Sequence, residues 1–345
     1  MYKLLIIIFI YFPLYILPNA AQPGFWGAGG TGTFSLLYPA DSLQYKKIQM
    51  IKEIVSIQLY RGYAVVKGEY WMYNSTSDSV TIKVGYPLNS SFSSEDPSNY
   101  YLTDIRFDSL YGLRAYRNGE EVTILAESIN NPDAGWANEN WYVWDNTFTP
   151  SDTTLITVYF IVNTNNTIIR QGYNNNYNNG FIYLLETGAT WKQPIVEGEV
   201  RIKLMNDLSI EDIKGLSPDS FFMYDSKTGT LLTRFQNLSP TAKNNIIITY
   251  TENLDEFNFQ NVLNSQDELF KTIDSFSSLQ INESNLVRRK FGDPFEVSST
   301  NWLISILLFL LFAGGPFLLI IGVMIGITIL VLIIVKRRKK RNEWW

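Results

Sequence analysis

IQMIKEIVSIQLY (Ile48 to Tyr60) and GYAVVKGEYWMYN (Gly62 to Asn74) meet at Arg61-Gly62. Both runs are dense in β-branched and aromatic residues, the types that suit a pleated surface. A two-residue turn between them makes a hairpin. Outward from it, Ser79 to Tyr86 is closed by Pro87, and Val80-Ile82-Val84 alternates with Thr81-Lys83-Gly85, as on a half-buried sheet face. Asn118-Gly119, between Leu113-Ala115 and Val122-Ile124, is a second hairpin signal, because both residues tolerate positive φ. Further strands are expected at Trp141 to Trp144, Leu155 to Val162, Phe181 to Glu186, Val196 to Leu204, Phe221 to Tyr224, Leu231 to Phe235 and Asn245 to Thr251. Short strands with turn signals and no sustained helical period predict an all-β ectodomain of one or two antiparallel β-sandwiches.

Two segments depart from this pattern. Tyr173 to Asn179 is a polar, Asn-rich stretch read as a loop at a hairpin tip. Leu269, Phe270, Ile273, Phe276 and Leu279 recur at helical spacing, with Ser265 and Glu268 placed as a capping box. This helix reads as a membrane-proximal stalk or as a cover over a sheet.

The ends of the chain set its expected topology. The run from Trp302 to Val335 carries no charge and stops at the six basic residues Lys336 to Arg341. Such a run predicts a membrane segment, with the basic block held in the cytoplasm. As one helix its thirty-four residues would measure about 51 Å against a hydrocarbon core of about 30 Å. Gly314-Gly315-Pro316 divides it, and Phe317 to Val335 alone suffices to span. Gly322 and Gly326 form a small-residue pair through which two helices could self-associate. At the other end, Lys3, the apolar Leu4 to Leu17 and Asn19-Ala20-Ala21 make a signal peptide. The expected organisation is a signal peptide (1–21), β-ectodomain (22–253), membrane-proximal helix or stalk (254–301), transmembrane segment (302–335) and cytoplasmic tail (336–345). That is a single-pass type I membrane protein.

Composition narrows its setting. Net charge is −5; the tail holds six basic residues and one acidic, so the remainder carries −10, which argues against a nucleic-acid partner. There is no Cys and no His. An exported domain without disulfides points to a prokaryotic envelope, periplasmic or extracellular, and to a domain stable on its core alone. The sequons at Asn74, Asn89, Asn165, Asn237 and Asn282 are then chance matches.

The chemistry this sequence permits is limited. Without His or Cys, the common Ser-His-Asp and Cys-His nucleophile systems and His-ligated metal sites are out of reach. No cofactor or metal is implied. The acidic pairs Glu95-Asp96, Glu120-Glu121 and Glu211-Asp212 read as solvated surface, leaving a carboxylate-dependent hydrolase as the third choice. Trp136, Trp141, Tyr142, Trp144 and Phe148 crowd thirteen residues. In a strand one face of that group is core. The other is a candidate platform for a glycan or peptide, with Trp136, Trp141 and Trp144 as its binding residues.

Several stretches occur in a familiar order. They are Ala28-Gly29-Gly30, Tyr73 to Asp78 followed by Val84-Gly85-Tyr86-Pro87, Trp141 to Trp144 through Phe148-Thr149-Pro150 to Ile156 to Phe160, Tyr183 to Ile195, and Asn237 to Pro240. The order resembles an uncharacterised family of secreted or membrane-anchored prokaryotic β-domains of unknown function, over about residues 25 to 253. The sharpest piece is Thr187-Gly188-Ala189-x-Trp191-x-x-Pro194-Ile195. The resemblance implies an extracytoplasmic β-rich fold and supplies no functional residues. The Asn-rich stretch and the helix after Asp255 depart from it. The expected role is an interaction or assembly module, not an enzyme. Its partners would be the membrane, another envelope protein, a second copy of itself, or a glycan.

Overall fold

The computed structural model describes residues 24–26, 34–36, 42–87, 91–94, 103–106, 110–130, 138–165, 167–171, 174–218, 222–296 and 315–342. Two compact units divide the chain after Val297. In the first unit the described strands, numbered in chain order, form four sheets. The smallest pairs β1 (Gly24–Trp26) with β2 (Phe34–Leu36). The largest runs β20 (Leu286–Arg288), β17 (Met223–Asp225), β18 (Thr230–Leu238), β15 (Ile195–Leu204), β3 (Ile48–Tyr60), β4 (Tyr63–Asn74), β12 (Thr153–Asn163), β8 (Leu110–Arg117) and β9 (Glu120–Glu121). A six-stranded sheet runs β16 (Ile213–Ser217), β19 (Ile246–Glu252), β14 (Asn174–Tyr183), β13 (Ile168–Gln171), β7 (Thr103–Arg106) and β6 (Ser91–Ser94). A three-stranded sheet runs β10 (Leu125–Asn130), β11 (Asn138–Phe148) and β5 (Val80–Pro87). The helices are α1 (Ser42–Tyr45), α2 (Phe259–Asn264), α3 (Gln266–Ser277) and α4 (Gly315–Asn342).

The chain is β-rich, as its patterning implies. Tyr60 and Tyr63 close the β3–β4 hairpin, and Gly62 takes φ +89° there. An added Cβ at Gly62 would stand 2.7 Å from the Phe257 ring, so that ring and the backbone both require glycine. Asn118 and Gly119 turn with φ 51° and 87°, both positive as a tight hairpin of matched twist needs. One apolar cluster takes Ile57 and Ile202 from the large sheet, Phe181 and Ile248 from the six-stranded one, and Val84 and Trp144 from the three-stranded one. All three sheets therefore share a core.

Three expectations change. The large sheet is not wholly antiparallel: β15 lies parallel to β3, with Val200 opposite Val55. Well over a hundred residues separate those strands, so no hairpin constrains their direction. The Asn-rich stretch is not a loop but the first half of β14, paired with β13 and β19. Asn178 and Asn179 are buried there, and Asn179 Nδ2 donates to Thr251 Oγ1 at 2.9 Å and to the Glu252 carbonyl at 2.8 Å. Those bonds replace the local backbone contacts that would have favoured a loop. Third, the Phe181 to Glu186 strand ends at Tyr183, and Leu185–Thr190 turns as a 3₁₀ helix.

The segment after residue 254 folds back onto the sheets. α3 buries Phe270, Ile273 and Phe276 against Tyr60, Val65 and Ile161, so it covers the outer face of the large sheet. Ser265 precedes it, but its side chain makes no cap: Ser265 Oγ donates to the Asn261 carbonyl instead. β20 then pairs with β17 and extends that sheet.

The second unit contributes α4, twenty-eight residues of helix. Its described side chains cover 323–336, and from Val323 to Val335 all are exposed. Over the described residues no helix is long and apolar enough to cross a membrane.

Candidate functional site

The outer face of the large sheet brings unlike chemistries together. The alternation on β12 that buries Ile156, Val158 and Phe160 turns Thr157 and Tyr159 to the opposite face. Register sets Thr157 opposite Tyr116 and Tyr159 opposite Arg114 on β8. On the other side they face Glu69 and Lys67 of β4. Residues paired across strands share a face, so these six make one surface.

α3 borders that surface with its polar side. Asp267, Lys271 and Asp274 are four and then three residues apart, which aligns them along the helix. Arg114 forms an ion pair with Asp267. Asp274 Oδ1 accepts from the Tyr159 hydroxyl at 2.7 Å and lies 3.0 Å from Lys67 Nζ. Lys67 also reaches Glu69 at 3.3 Å. The Tyr116 and Tyr159 rings meet edge to face at 5.8 Å, and Tyr159 leans on Phe270 at 5.4 Å. Between them opens a cleft of about 540 Å³, within the ~300–1,000 Å³ range of small-ligand sites. Burial, then the bond to Asp274, pushes the Tyr159 hydroxyl above its ordinary range, so it stays a neutral donor.

Two further polar centres fix this surface and the layer beneath it. At the far end of α3, Arg201 Nη1 donates to the Ser277 and Leu279 carbonyls, each at 3.0 Å. A cation there complements the helix dipole and its unpaired carbonyls. Burial opposes ionisation of Glu199, but Arg234 and Arg201 outweigh it and hold that carboxyl below its ordinary range. On the inner face Glu53 is fully buried. Its Oε1 accepts from the Tyr183 hydroxyl at 2.6 Å, and the Tyr183 oxygen meets Tyr70 at 3.0 Å. Burial raises the Glu53 carboxyl to about 7.

No protein-family model matches the chain and no curated protein matches it, which is consistent with a β-domain family of unknown function. Among solved structures it is similar to a protein of Legionella pneumophila described as nutrient-binding: 15% identity and TM-score 0.40, over 59% of this chain and 67% of that one. It is also similar to an M1 zinc metallopeptidase of Deinococcus radiodurans, at 11% identity and TM-score 0.29, over 59% of this chain and 42% of the peptidase. Yeast LTA4 hydrolase gives 11% and 0.29, over 60% of this chain and 29% of that one. The chain thus spans less than half the length of these two enzymes.

The residues singled out in the sequence do not converge on this cleft. Trp144 is 2% exposed and belongs to the shared core, so it offers no face to a ligand. The reason is its place on β11, where Trp144, Asn146 and Phe148 all turn inward. Trp141 sits on β11 opposite Glu127 and Pro87, and its side chain, like the whole of Trp136, lies outside the described residues. Gly326 is on α4 with open space where a Cβ would stand; the surroundings of Gly322 lie outside the described residues. Glu120 and Glu121 are exposed at a hairpin, and Asp212 Oδ2 accepts from Ser209 N and Oγ. Glu95-Asp96 lies outside the described residues. Among the described residues no group of His, Cys, Asp and Glu is arranged to hold a metal.

What the sequence reading missed was the cleft. Its signal was present in part: Tyr116 and Tyr159 fall on the polar phase of their strands, and Asp267, Lys271 and Asp274 on the polar phase of α3. The β8–β12 register joins the strand residues, and the docking of α3 on Tyr60, Val65 and Ile161 brings the helix residues to them.

Proposed function

We propose that this chain is a single-pass type I membrane protein displaying a β-domain as an interaction or assembly module of a prokaryotic envelope. The observation that carries the reading is α4. From Val323 to Val335 its side chains are exposed and, apart from Gly326 and Thr328, large and apolar. Thr328 Oγ1 donates to the Met324 carbonyl at 2.8 Å, so the hydroxyl is satisfied within the helix. An apolar helix exposed all round calls for lipid, and six basic residues follow at its cytoplasmic end. In the sequence the uncharged run Phe317 to Val335 is nineteen residues, about 29 Å as helix, against a core of about 30 Å. The β-domain itself reads as a single sandwich-like body, because one core serves three of its sheets.

Binding is favoured over hydrolysis by the cleft's own carboxylates. Asp267 pairs with Arg114, and Asp274 with Lys67 and Tyr159, which is ion pairing rather than the paired-carboxylate arrangement of acid–base hydrolysis. The test is topological. In cells making the full chain, protease added to spheroplasts should digest the β-domain and spare a fragment containing α4. Mild crosslinking should then capture a membrane partner or a second copy. Digestion only in inside-out vesicles overturns the anchorage, and solitary material after crosslinking overturns the assembly role.

A further inference from the structure

We infer that the cleft between α3 and the β8–β12 face of the large sheet binds a neutral saccharide. This deepens the reading of the chain as a binding module and is independent of its anchorage. Four charged residues line the cleft, Arg114 and Lys271 against Asp267 and Asp274, and they cancel. A polyanion or polycation would therefore meet as much repulsion as attraction. A purely apolar ligand would cover these charges without bonding to them, which costs free energy. A neutral ligand dense in hydroxyls satisfies both kinds, because each hydroxyl donates to a carboxylate and accepts from a guanidinium or ammonium. Tyr116 and Tyr159 supply the complement, apolar ring surface for the C–H faces of a sugar, with the buried Phe270 ring as the floor behind Tyr159.

The site is also built in advance. The Arg114–Asp267 pair and the Tyr159–Asp274 bond hold four of the contact groups in place across two elements. Such preorganisation removes ordering costs that a weak ligand could not offset. Lys271 is exposed at the rim of the cleft.

The experiment uses the full chain in lipid nanodiscs, since glycoside detergents would compete. Cellotriose, maltotriose, mannotriose and N,N′,N″-triacetylchitotriose are titrated with saturation-transfer NMR and calorimetry, beside trigalacturonate and triglycine. At least one neutral trisaccharide should bind saturably. Tyr116→Ala should weaken it about tenfold, the scale of one lost ring contact. Thr157→Trp, which fills the cleft, should abolish it, and Leu43→Ser, at an exposed position of α1 outside the cleft lining, should leave it unchanged. Should Thr157→Trp unfold the protein, Lys271→Ser at an exposed helical position should weaken binding instead. The proposal is overturned if no neutral trisaccharide binds, if trigalacturonate or triglycine binds better, or if affinity survives the Tyr116 and cleft variants. Any of these leaves the protease result, and with it the anchorage, standing.

Discussion

Tyr183 of the six-stranded sheet donates its hydroxyl hydrogen to Glu53 of the nine-stranded sheet at 2.6 Å, joining two layers through a carboxyl that water does not reach. Glu53 sits opposite Tyr70 in the β3–β4 register, and Tyr70 meets the same Tyr183 oxygen. Gly68 makes this possible, since a Cβ there would lie 2.3 Å from the Tyr70 hydroxyl. The second carboxyl oxygen, Oε2, has no protein partner, so the folded state favours the uncharged acid.

Stability should accordingly fall as pH rises from about 4.5 to about 7. Below about 4.5 the carboxyl is protonated in folded and unfolded chains alike, and its contribution is full. Between there and about 7 only the unfolded chain ionises, which favours unfolding. Above 7 the loss is complete, at about 3 kcal/mol. Glu53→Gln keeps an acceptor for Tyr183 and removes the titration. Denaturant melts at pH 5 and pH 8 should show wild type losing this increment relative to Glu53→Gln, and parallel pH profiles would refute the assignment.

Asn179→Ala should cost about 2–4 kcal/mol, because several partners lose their bonds in a place closed to water. Its Nδ2 serves Thr251 Oγ1 and the Glu252 carbonyl, and its Oδ1 accepts from Thr164 Oγ1 at 3.3 Å. Tyr177→Ser, two residues away at an exposed position, should stay within about 0.5 kcal/mol. Equal melting temperatures for the two variants would show that the buried amide is not what holds β14 in place.

That strand also marks where sequence patterning stops being informative. The β3–β4 hairpin was legible because Ile48 to Asn74 is dense in β-branched and aromatic residues and a glycine sits at the turn, both local facts. α3 was legible in the spacing of Phe270, Ile273 and Phe276. Asn174 to Asn179 misled because Asn prefers turns when judged alone; pairing with β13 for its first four residues and with β19 from Asn178 on makes a strand of it. The same limit hid Glu53, one acidic residue in an apolar run whose partner lies 130 positions away. Trp144 and the cleft residues failed in opposite senses. Aromatic density drew attention to a core strand, while Tyr159 and Arg114 gain their meaning only from a cross-strand register.

Gly62→Ala should destabilise the β3–β4 hairpin by about 1–3 kcal/mol, combining a positive φ with a contact that backbone and ring must both yield to. Phe257→Ala in the same background relieves only the contact. A double-mutant cycle should therefore recover part of the loss and leave the φ component. Full recovery would place the whole cost in the ring, and none would place it in the backbone.

The docking of α3 should be separable from the stability of the sheets beneath it. Ile273 is fully buried against the outer face, so Ile273→Ala should remove about 2–5 kcal/mol from that contact. Arg201→Met should act at the other end, freeing the Ser277 and Leu279 carbonyls and leaving Glu199 with Arg234 alone. Because α3 covers one face and contributes no strand, its release exposes Tyr60, Val65 and Ile161 without cutting a ladder. Hydrogen exchange should then accelerate across residues 259–279 in both variants, while β3, β4 and β12 keep their protection. The cleft depends on the same helix, so both variants should also lose whatever ligand it holds. Uniform loss of protection through the large sheet would instead mean that α3 and the sheet unfold as one.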